Sequence, residues 1–228
     1  YRDGKKVNKH PLKNATFFQD SYQGTEPALY TVKAIKGKTE SNYQLPADAP
    51  TGYLNIPLVR PEGGTTPSGQ AYTYAPNDAS IGDVDGDGEY EIILKSNAHD
   101  NAHDGYTGPV IFDCYKLNGQ QLWRINMGRN VRAGAHYTQF MVFDLDGDGR
   151  AEVVMKTGDG TVDGTGKVIG DANADYRNER GRILTGPEYL TIFNGLTGEA
   201  MQTIDYVPER GNLMDWGDGR ANRSDRYL

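Results

Sequence analysis

Two stretches of this chain, 83–91 and 144–152, each open Asp-x-Asp-Gly-Asp-Gly and close on a glutamate, and they stand 61 residues apart. The likeness extends beyond the loops. Residues 80–95 read Ser-Ile-Gly-Asp-Val-Asp-Gly-Asp-Gly-Glu-Tyr-Glu-Ile-Ile-Leu-Lys, and residues 141–156 read Met-Val-Phe-Asp-Leu-Asp-Gly-Asp-Gly-Arg-Ala-Glu-Val-Val-Met-Lys. Repetition at a fixed spacing is the mark of a repeat architecture. Each copy reads as a strand, an acidic loop, a strand rich in β-branched residues (92–94 or 153–155) and then a hairpin. The first hairpin spans 110–125 with Asn118-Gly119 as its turn signal, and the second spans 189–204. Four short strands per copy predict the blades of a β-propeller, small antiparallel sheets set around a channel.

Residues 158–182 lengthen the second copy between its strand pairs, and such an insertion belongs on a rim, where loops gather function. Residues 206–228 read as the approach to a third copy. Closed rings need roughly four to eight blades, so this stretch is expected to be an excerpt of a larger protein. The first 45 residues begin with a hairpin, Tyr1-Arg-Asp-Gly-Lys-Lys-Val, and contain an alternating strand at 30–35. They are too few for a sandwich of about 100 residues, and they are expected to be the last strands of a fibronectin type III-like β-sandwich. Pro46 to Pro50 is the expected linker, with the propeller blades over 46–228.

The acidic loops suit Ca²⁺, which takes six to eight hard oxygens from a loop that can turn back on itself. Asp83, Asp85 and Asp87 supply alternate carboxylates, the Glu89 carbonyl a further oxygen, and Glu91 closes the shell. In the second loop the same places fall to Asp144, Asp146, Asp148, the Arg150 carbonyl and Glu152. Gly86 and Gly88 permit the backbone angles a tight loop requires. An EF-hand closes at its twelfth position between helices; closure here comes at the ninth between strands, as in the calcium blades of integrin-type propellers. Metal-free acidic turns would leave several carboxylates repelling one another. A looser set, Asp159, Asp163, Asp171, Asn173 and Asp175, lies in the glycine-rich insertion and reads either as a further calcium site or as a polar surface loop.

With 29 glycines, 15 tyrosines and no sustained helical period, the composition favours an all-β fold. A net charge of −7 argues against nucleic acid, whose phosphates need clustered Lys and Arg. No apolar run approaches the length of a transmembrane helix. The one cysteine, Cys114, reads as a half-buried strand residue. His99 and His103 have the spacing of zinc-binding helices, but Asn, Asp and Gly around them predict a loop over 98–104. Arg132, His136, Tyr137 and Gln139 cluster just before a blade strand; His136 reads equally as a ligand-contacting residue or as a buried, hydrogen-bonded one. No nucleophile elbow, phosphate loop or Cys–His pair is present.

Several long motifs carry a resemblance: Thr65-Thr-Pro-Ser-Gly, the run from Tyr74-Ala-Pro-Asn-Asp-Ala-Ser through the first acidic loop, Arg132-Ala-Gly-Ala-His-Tyr-Thr-Gln-Phe-Met, and Gly164-Thr-Gly-Lys-Val-Ile-Gly-Asp-Ala-Asn-Ala-Asp-Tyr-Arg. Nearly the whole chain resembles bacterial rhamnogalacturonan lyases of polysaccharide lyase family 11. The resemblance implies an eight-bladed, calcium-rich propeller beside a fibronectin type III-like domain, of which this chain holds the first blades. It also implies β-elimination at galacturonate in the rhamnogalacturonan I backbone of pectin, by a secreted, periplasmic or cell-surface enzyme expected to be a monomer. Asn77 and Asp78 match the family's substrate-groove positions, and Arg132, His136 and Tyr137 join them as substrate-binding candidates on the same rim. The basic residues suspected of proton abstraction fall on later blades, beyond residue 228, so no residue is assigned as catalytic. One departure stands out: where the family continues Trp-Asp-Pro after Lys95, this chain runs directly into Ser96-Asn97. The alternative reading is a non-catalytic, calcium-stabilised propeller that binds polysaccharide or protein.

Overall fold

A computed structural model describes residues 1–13, 18–24, 28–33, 40–44, 54–66, 69–99, 107–134, 137–179 and 181–211, with 40–44 and 99 described by backbone alone. The described residues form strands, turns and irregular segments without an α-helix, so none could cross a membrane as one. The fold is all-β. Two compact units divide after residue 56, Tyr1–Ile56 and Pro57–Leu228. The linker expected at 46–50 lies outside the described residues.

In the first unit, β1 (Leu29–Lys33) pairs antiparallel with β2 (Glu40–Gln44). The opening hairpin closes on a bridge between Arg2 and Lys5 around Asp3 and Gly4, whose φ angles of 49° and 75° suit residues that tolerate the left-handed region. Arg2 also bridges Tyr30 of β1, and the Asp20 carboxylate accepts from both the Arg2 guanidinium (2.5 Å) and the Tyr30 hydroxyl (3.0 Å).

The second unit opens with the short β3 (Gly64–Thr65), followed by β4 (Ala71–Gly82), β5 (Glu91–His99), β6 (Ile111–Tyr115) and β7 (Gln121–Asn126). The next copy runs through β8 (Phe140–Phe143) and β9 (Glu152–Thr157), then the inserted β10 (Thr161–Val162) and β11 (Val168–Ile169), and ends in β12 (Tyr189–Phe193) and β13 (Ala200–Asp205). Each repeat is thus a four-strand antiparallel meander, β4-β5-β6-β7 and β8-β9-β12-β13. The insertion does not extend its own sheet. Its hairpin joins the edge of the first one, where Val162 pairs with Asn126. Strand β5 runs through His99, so Ala98 and His99, paired with Tyr74 and Thr73 of the long β4, belong to the ladder and not to the loop expected over 98–104, whose residues 100–104 lie outside the described ones.

Between the two sheets lies the core. Ile93, Cys114 and Trp123 align across β5, β6 and β7, and Ile93, Phe112, Cys114 and Ile125 pack with Val153 and Phe193 of the second sheet. Each of these apolar side chains contributes about 1.5–3 kcal/mol by burial. Cys114 is completely buried rather than half-buried, because β6 is covered on both faces, and burial pushes its thiol up to about 12. On the opposite face the segment around Val59 lies over β6. The Val59 N–H donates to the Tyr115 hydroxyl (3.2 Å), the Tyr115 hydroxyl donates to the Val59 carbonyl (3.1 Å), and Arg124 donates to that same carbonyl (2.6 Å). The indole N–H of Trp123 crosses to the Gly195 carbonyl at 2.7 Å, joining the sheets.

Candidate functional site

The two acidic loops connect the first and second strands of each meander, and they fold alike because each opening aspartate organises its own backbone. Asp83 accepts from the N–H groups of Gly86 (2.7 Å) and Gly88 (2.9 Å); Asp144 accepts from Gly147 (2.7 Å) and Gly149 (3.0 Å). Those glycines sit at φ between 79° and 89°, the left-handed region a side chain would resist. Glu91 and Glu152 start the following strands and reach back to the N–H of Val84 (3.0 Å) and Leu145 (2.8 Å). The result is two matching sets, Asp83, Asp85 and Glu91, and Asp144, Asp146 and Glu152, each with ligand oxygens within 4.8 Å of one another. Three convergent carboxylates with the glutamate buried fit a hard divalent cation such as Ca²⁺. Asp87 and Asp148 lie outside the convergent sets and turn one oxygen to the N–H of Glu89 and Arg150, respectively (both 2.8 Å).

A second constellation forms at the opposite end of the strands. In the β4–β5 ladder Pro76 faces Ser96 and Ala79 faces Leu94, so Asn77 and Asp78 bulge out opposite Lys95 alone. Bulges of this kind re-aim side chains beside functional sites. Lys95 is fully buried, yet its ammonium donates to Asp78 (3.1 Å) and to the Tyr137 carbonyl (2.7 Å). The Tyr137 ring in turn lies 4.4 Å from the Arg132 guanidinium, a cation–π contact. Asp78, Tyr137 and Arg132 are therefore brought together, with Asn77 exposed beside them. Their organiser is Lys95, which the sequence presented only as the last residue of a repeat. His136 and His103 lie outside the described residues.

Next to this constellation opens a cleft of about 490 Å³. Its walls include Tyr72, Asn126, Arg129, Arg132 and Arg177, and the Asp175 carboxylate pairs with Arg177 (2.5 Å) and Arg129 (3.7 Å) from beside it. Asn130, buried behind the wall, clamps the insertion in place. Its amide donates to the carbonyls of Asp159 and Ala174, and its oxygen accepts from the Tyr176 N–H, all at 2.9 Å.

The acids of the insertion do not gather into a third cluster of the kind seen in the two loops. Asp159 accepts from the Asp171 N–H (3.0 Å) and the hydroxyls of Tyr176 (2.8 Å) and Tyr189 (3.0 Å). Burial alone would raise its pKa, but these donors outweigh it and hold the carboxyl low. Asp163 likewise serves Thr165, Lys167 and, across to β13, the Ala200 N–H, and is held low against burial. Asp175 pairs with Arg177 and sits at about 2, while Asp171 caps the N–H of exposed Asn173. These carboxylates serve as hydrogen-bond acceptors that shape the insertion.

Fold and site together define an all-β repeat protein with two matched acidic loops at one end of its strands and a cationic cleft at the other. The description "Rhamnogalacturonan lyase family 11, C-terminal domain" matches residues 53–228, and the chain belongs to that family. It is 60% identical, over 232 aligned positions, to the rhamnogalacturonan exolyase YesX of Bacillus subtilis and 59% identical to the rhamnogalacturonan endolyase YesW of the same organism. All of this chain aligns, against 38% and 37% of those relatives, so it spans well under half their length. A crystal structure of YesW matches with a TM-score of 0.77 at 57% identity over 98% of this chain and 39% of that one. The Bacillus licheniformis rhamnogalacturonan lyase matches with 0.76 at 53% identity, over 98% and 39%.

Proposed function

We propose that this chain is part of a rhamnogalacturonan lyase with a calcium-bound propeller domain, and that it helps hold the rhamnogalacturonan I backbone for β-elimination at galacturonate. The cleft carries this reading. In a chain of net charge −7, it gathers Arg129, Arg132 and Arg177; Arg177 (2.5 Å) and Arg129 (3.7 Å) share the single carboxylate of Asp175, so an excess of arginine remains. A net-acidic protein meeting a polyuronate needs such a local positive field, and guanidinium groups match a carboxylate in geometry as well as charge. In β-elimination a base removes the C5 proton of the uronate and the C4 oxygen departs. Charge developing on the carboxylate must be neutralised in place, which fixed guanidinium groups accomplish. Asn77 and Asp78, both presented by the bulge and the latter steadied by Lys95, face sugar hydroxyls, and the Tyr137 ring adds a flat surface. Calcium in the two loops supplies positive charge that draws their carboxylates together.

The propeller part of the proposal rests on which faces the repeat leaves open. Val142 of β8 is packed against the core, yet its repeat equivalent in β4, Ile81, is 55% exposed. Conversely, Gly82 lies against Val142 and Ala151, while its equivalent, Phe143, is 63% exposed. Applying the same blade-to-blade step at either end would cover both, as a ring with further blades requires. The first unit, Tyr1–Ile56, is proposed to belong to a fibronectin type III-like domain, and a pectic substrate puts the enzyme's work outside the cytoplasm.

The test is to add rhamnogalacturonan I to the full-length protein and follow the ultraviolet absorbance of the unsaturated uronate. A rise that is lost on Arg132→Ala is the expected result. Polysaccharide binding without any rise would leave the non-catalytic module as the function.

A further inference from the structure

The two acidic loops share their geometry, but they do not share their surroundings. In the ladders that follow them, Ile92 faces Tyr115 and its repeat equivalent Val153 faces Phe193, and both hairpins carry a register shift at this point. The next residue is therefore equivalent in the two copies. In the first it is Lys116, and in the second Asn194. The Lys116 ammonium lies 2.5 Å from Asp85, 3.7 Å from Asp87 and 3.7 Å from Glu91. Asn194 turns its oxygen instead to the N–H groups of Leu196 and Thr197 (both 3.0 Å) and contributes no charge.

We propose that Lys116 is a tethered counter-ion that makes the two loops unequal: the first is partly neutralised by the chain itself and takes a divalent cation more weakly than the second. The proposal rests on the calcium reading of the loops. The ammonium and the metal compete for the same carboxylates, Asp85 and Glu91, so a cation entering the first loop must displace Lys116 or bind beside a like charge. The second loop imposes no such cost. Conversely, without metal the first loop keeps one positive charge among its carboxylates, while the second has none from the equivalent position. A single lysine thus lets one blade hold its loop when calcium is scarce and leaves the other dependent on the ion.

Calcium titration calorimetry on the chain tests this, using Asp144→Asn to isolate the first loop and Asp83→Asn to isolate the second. The first loop should bind at least about tenfold more weakly, and adding Lys116→Gln to Asp144→Asn should close the gap. Thermal melts give an independent measure that needs no disabled loop. Lys116→Gln alone should lower the melting temperature in chelator and enlarge the rise produced by calcium. Equal affinities for the two loops, or a gap and a calcium response that Lys116→Gln leaves unchanged, would overturn the proposal while the calcium reading stands. Absence of binding heat in every variant would remove the calcium reading and the proposal with it.

Discussion

The N–H of Ala151 donates to the carbonyl of Asp83 at 2.7 Å, so the residue before the closing glutamate of one acidic loop is bonded to the first aspartate of the other. Two glycines make this approach possible. A Cβ on Gly82 would stand 2.6 Å from Val142 and 2.7 Å from the Ala151 methyl, and a Cβ on Gly195 would collide with the Ala151 carbonyl.

Substitution at these glycines should therefore loosen the joint between the repeats. Gly82→Ala meets side chains that can give a little and should cost about 1–3 kcal/mol. Gly195→Ala meets a backbone carbonyl and should cost more. Thermal denaturation of the two variants checks the order, and a Gly195→Ala melting temperature at or above that of Gly82→Ala would contradict it.

Metal removal should be felt as lost folding energy, because a ligand bound by the native state alone stabilises it in proportion to RT ln(1 + [L]/Kd). Chelator should lower the melting temperature of the parent chain. Glu152→Ala should lower it further, since the Leu145 N–H loses its acceptor at a cost of about 1–3 kcal/mol. That variant should also respond less to added calcium than the parent does. A parent melting curve unchanged by chelator would count against calcium in the loops.

Beneath the Val59 segment, the Asp113 carboxylate is 1% exposed and depends on Arg124 (2.7 Å and 3.1 Å) and Gln121 (2.6 Å). Burial raises its pKa, and Arg124 is the strongest influence opposing that rise. Arg124→Ala should strand this charge and destabilise the chain by about 3 kcal/mol. The sign with pH is definite. The folded pKa is already raised and climbs further in the variant, so the penalty is relieved as pH falls through it. The gap in melting temperature between variant and parent should be widest near neutrality and narrow toward pH 4. A gap independent of pH would show that lost packing, not stranded charge, is the cause.

How far the sequence led depended on how local each signal was. The acidic loops, their glycines and the Asn118-Gly119 turn are encoded within a few residues, and the structure has them where the repeat predicts. The insertion's hairpin was legible only as an insertion, because its pairing partner, Asn126 on the first sheet, lies far back along the chain. Asp78 was picked out, but Lys95, which holds it, was not, since a buried lysine facing a bulge has no sequence pattern of its own. Lys116 was missed for the same reason: it stands 31 residues from Asp85 and meets it only through the ladder. For Asp159 and Asp163 the sequence left a calcium site and a polar loop both open, because glycine-rich acidic runs look alike whether the acceptors serve an ion or backbone N–H groups.

That last distinction has its own test in acid. Asp159, Asp163 and Asp175 all titrate below the ordinary carboxylate range, Asp175 at about 2, held there first by Arg177. A depressed folded pKa means that the stabilisation is present above the unfolded value, about 3.9, and drains away as pH falls from there through the folded value, which for Asp175 is about 2. The insertion should accordingly loosen over that window. The N–H groups of Thr165, Lys167 and Asp171, which donate to Asp163 and Asp159, should lose hydrogen-exchange protection after correction for intrinsic rates. Asp159→Asn should bring the loosening at Asp171 to neutral pH, at a cost of about 1–3 kcal/mol, and no added calcium should restore it. Protection at Asp171 that rises with calcium in the parent and no longer does so in Asp159→Asn would instead mark Asp159 as a metal ligand.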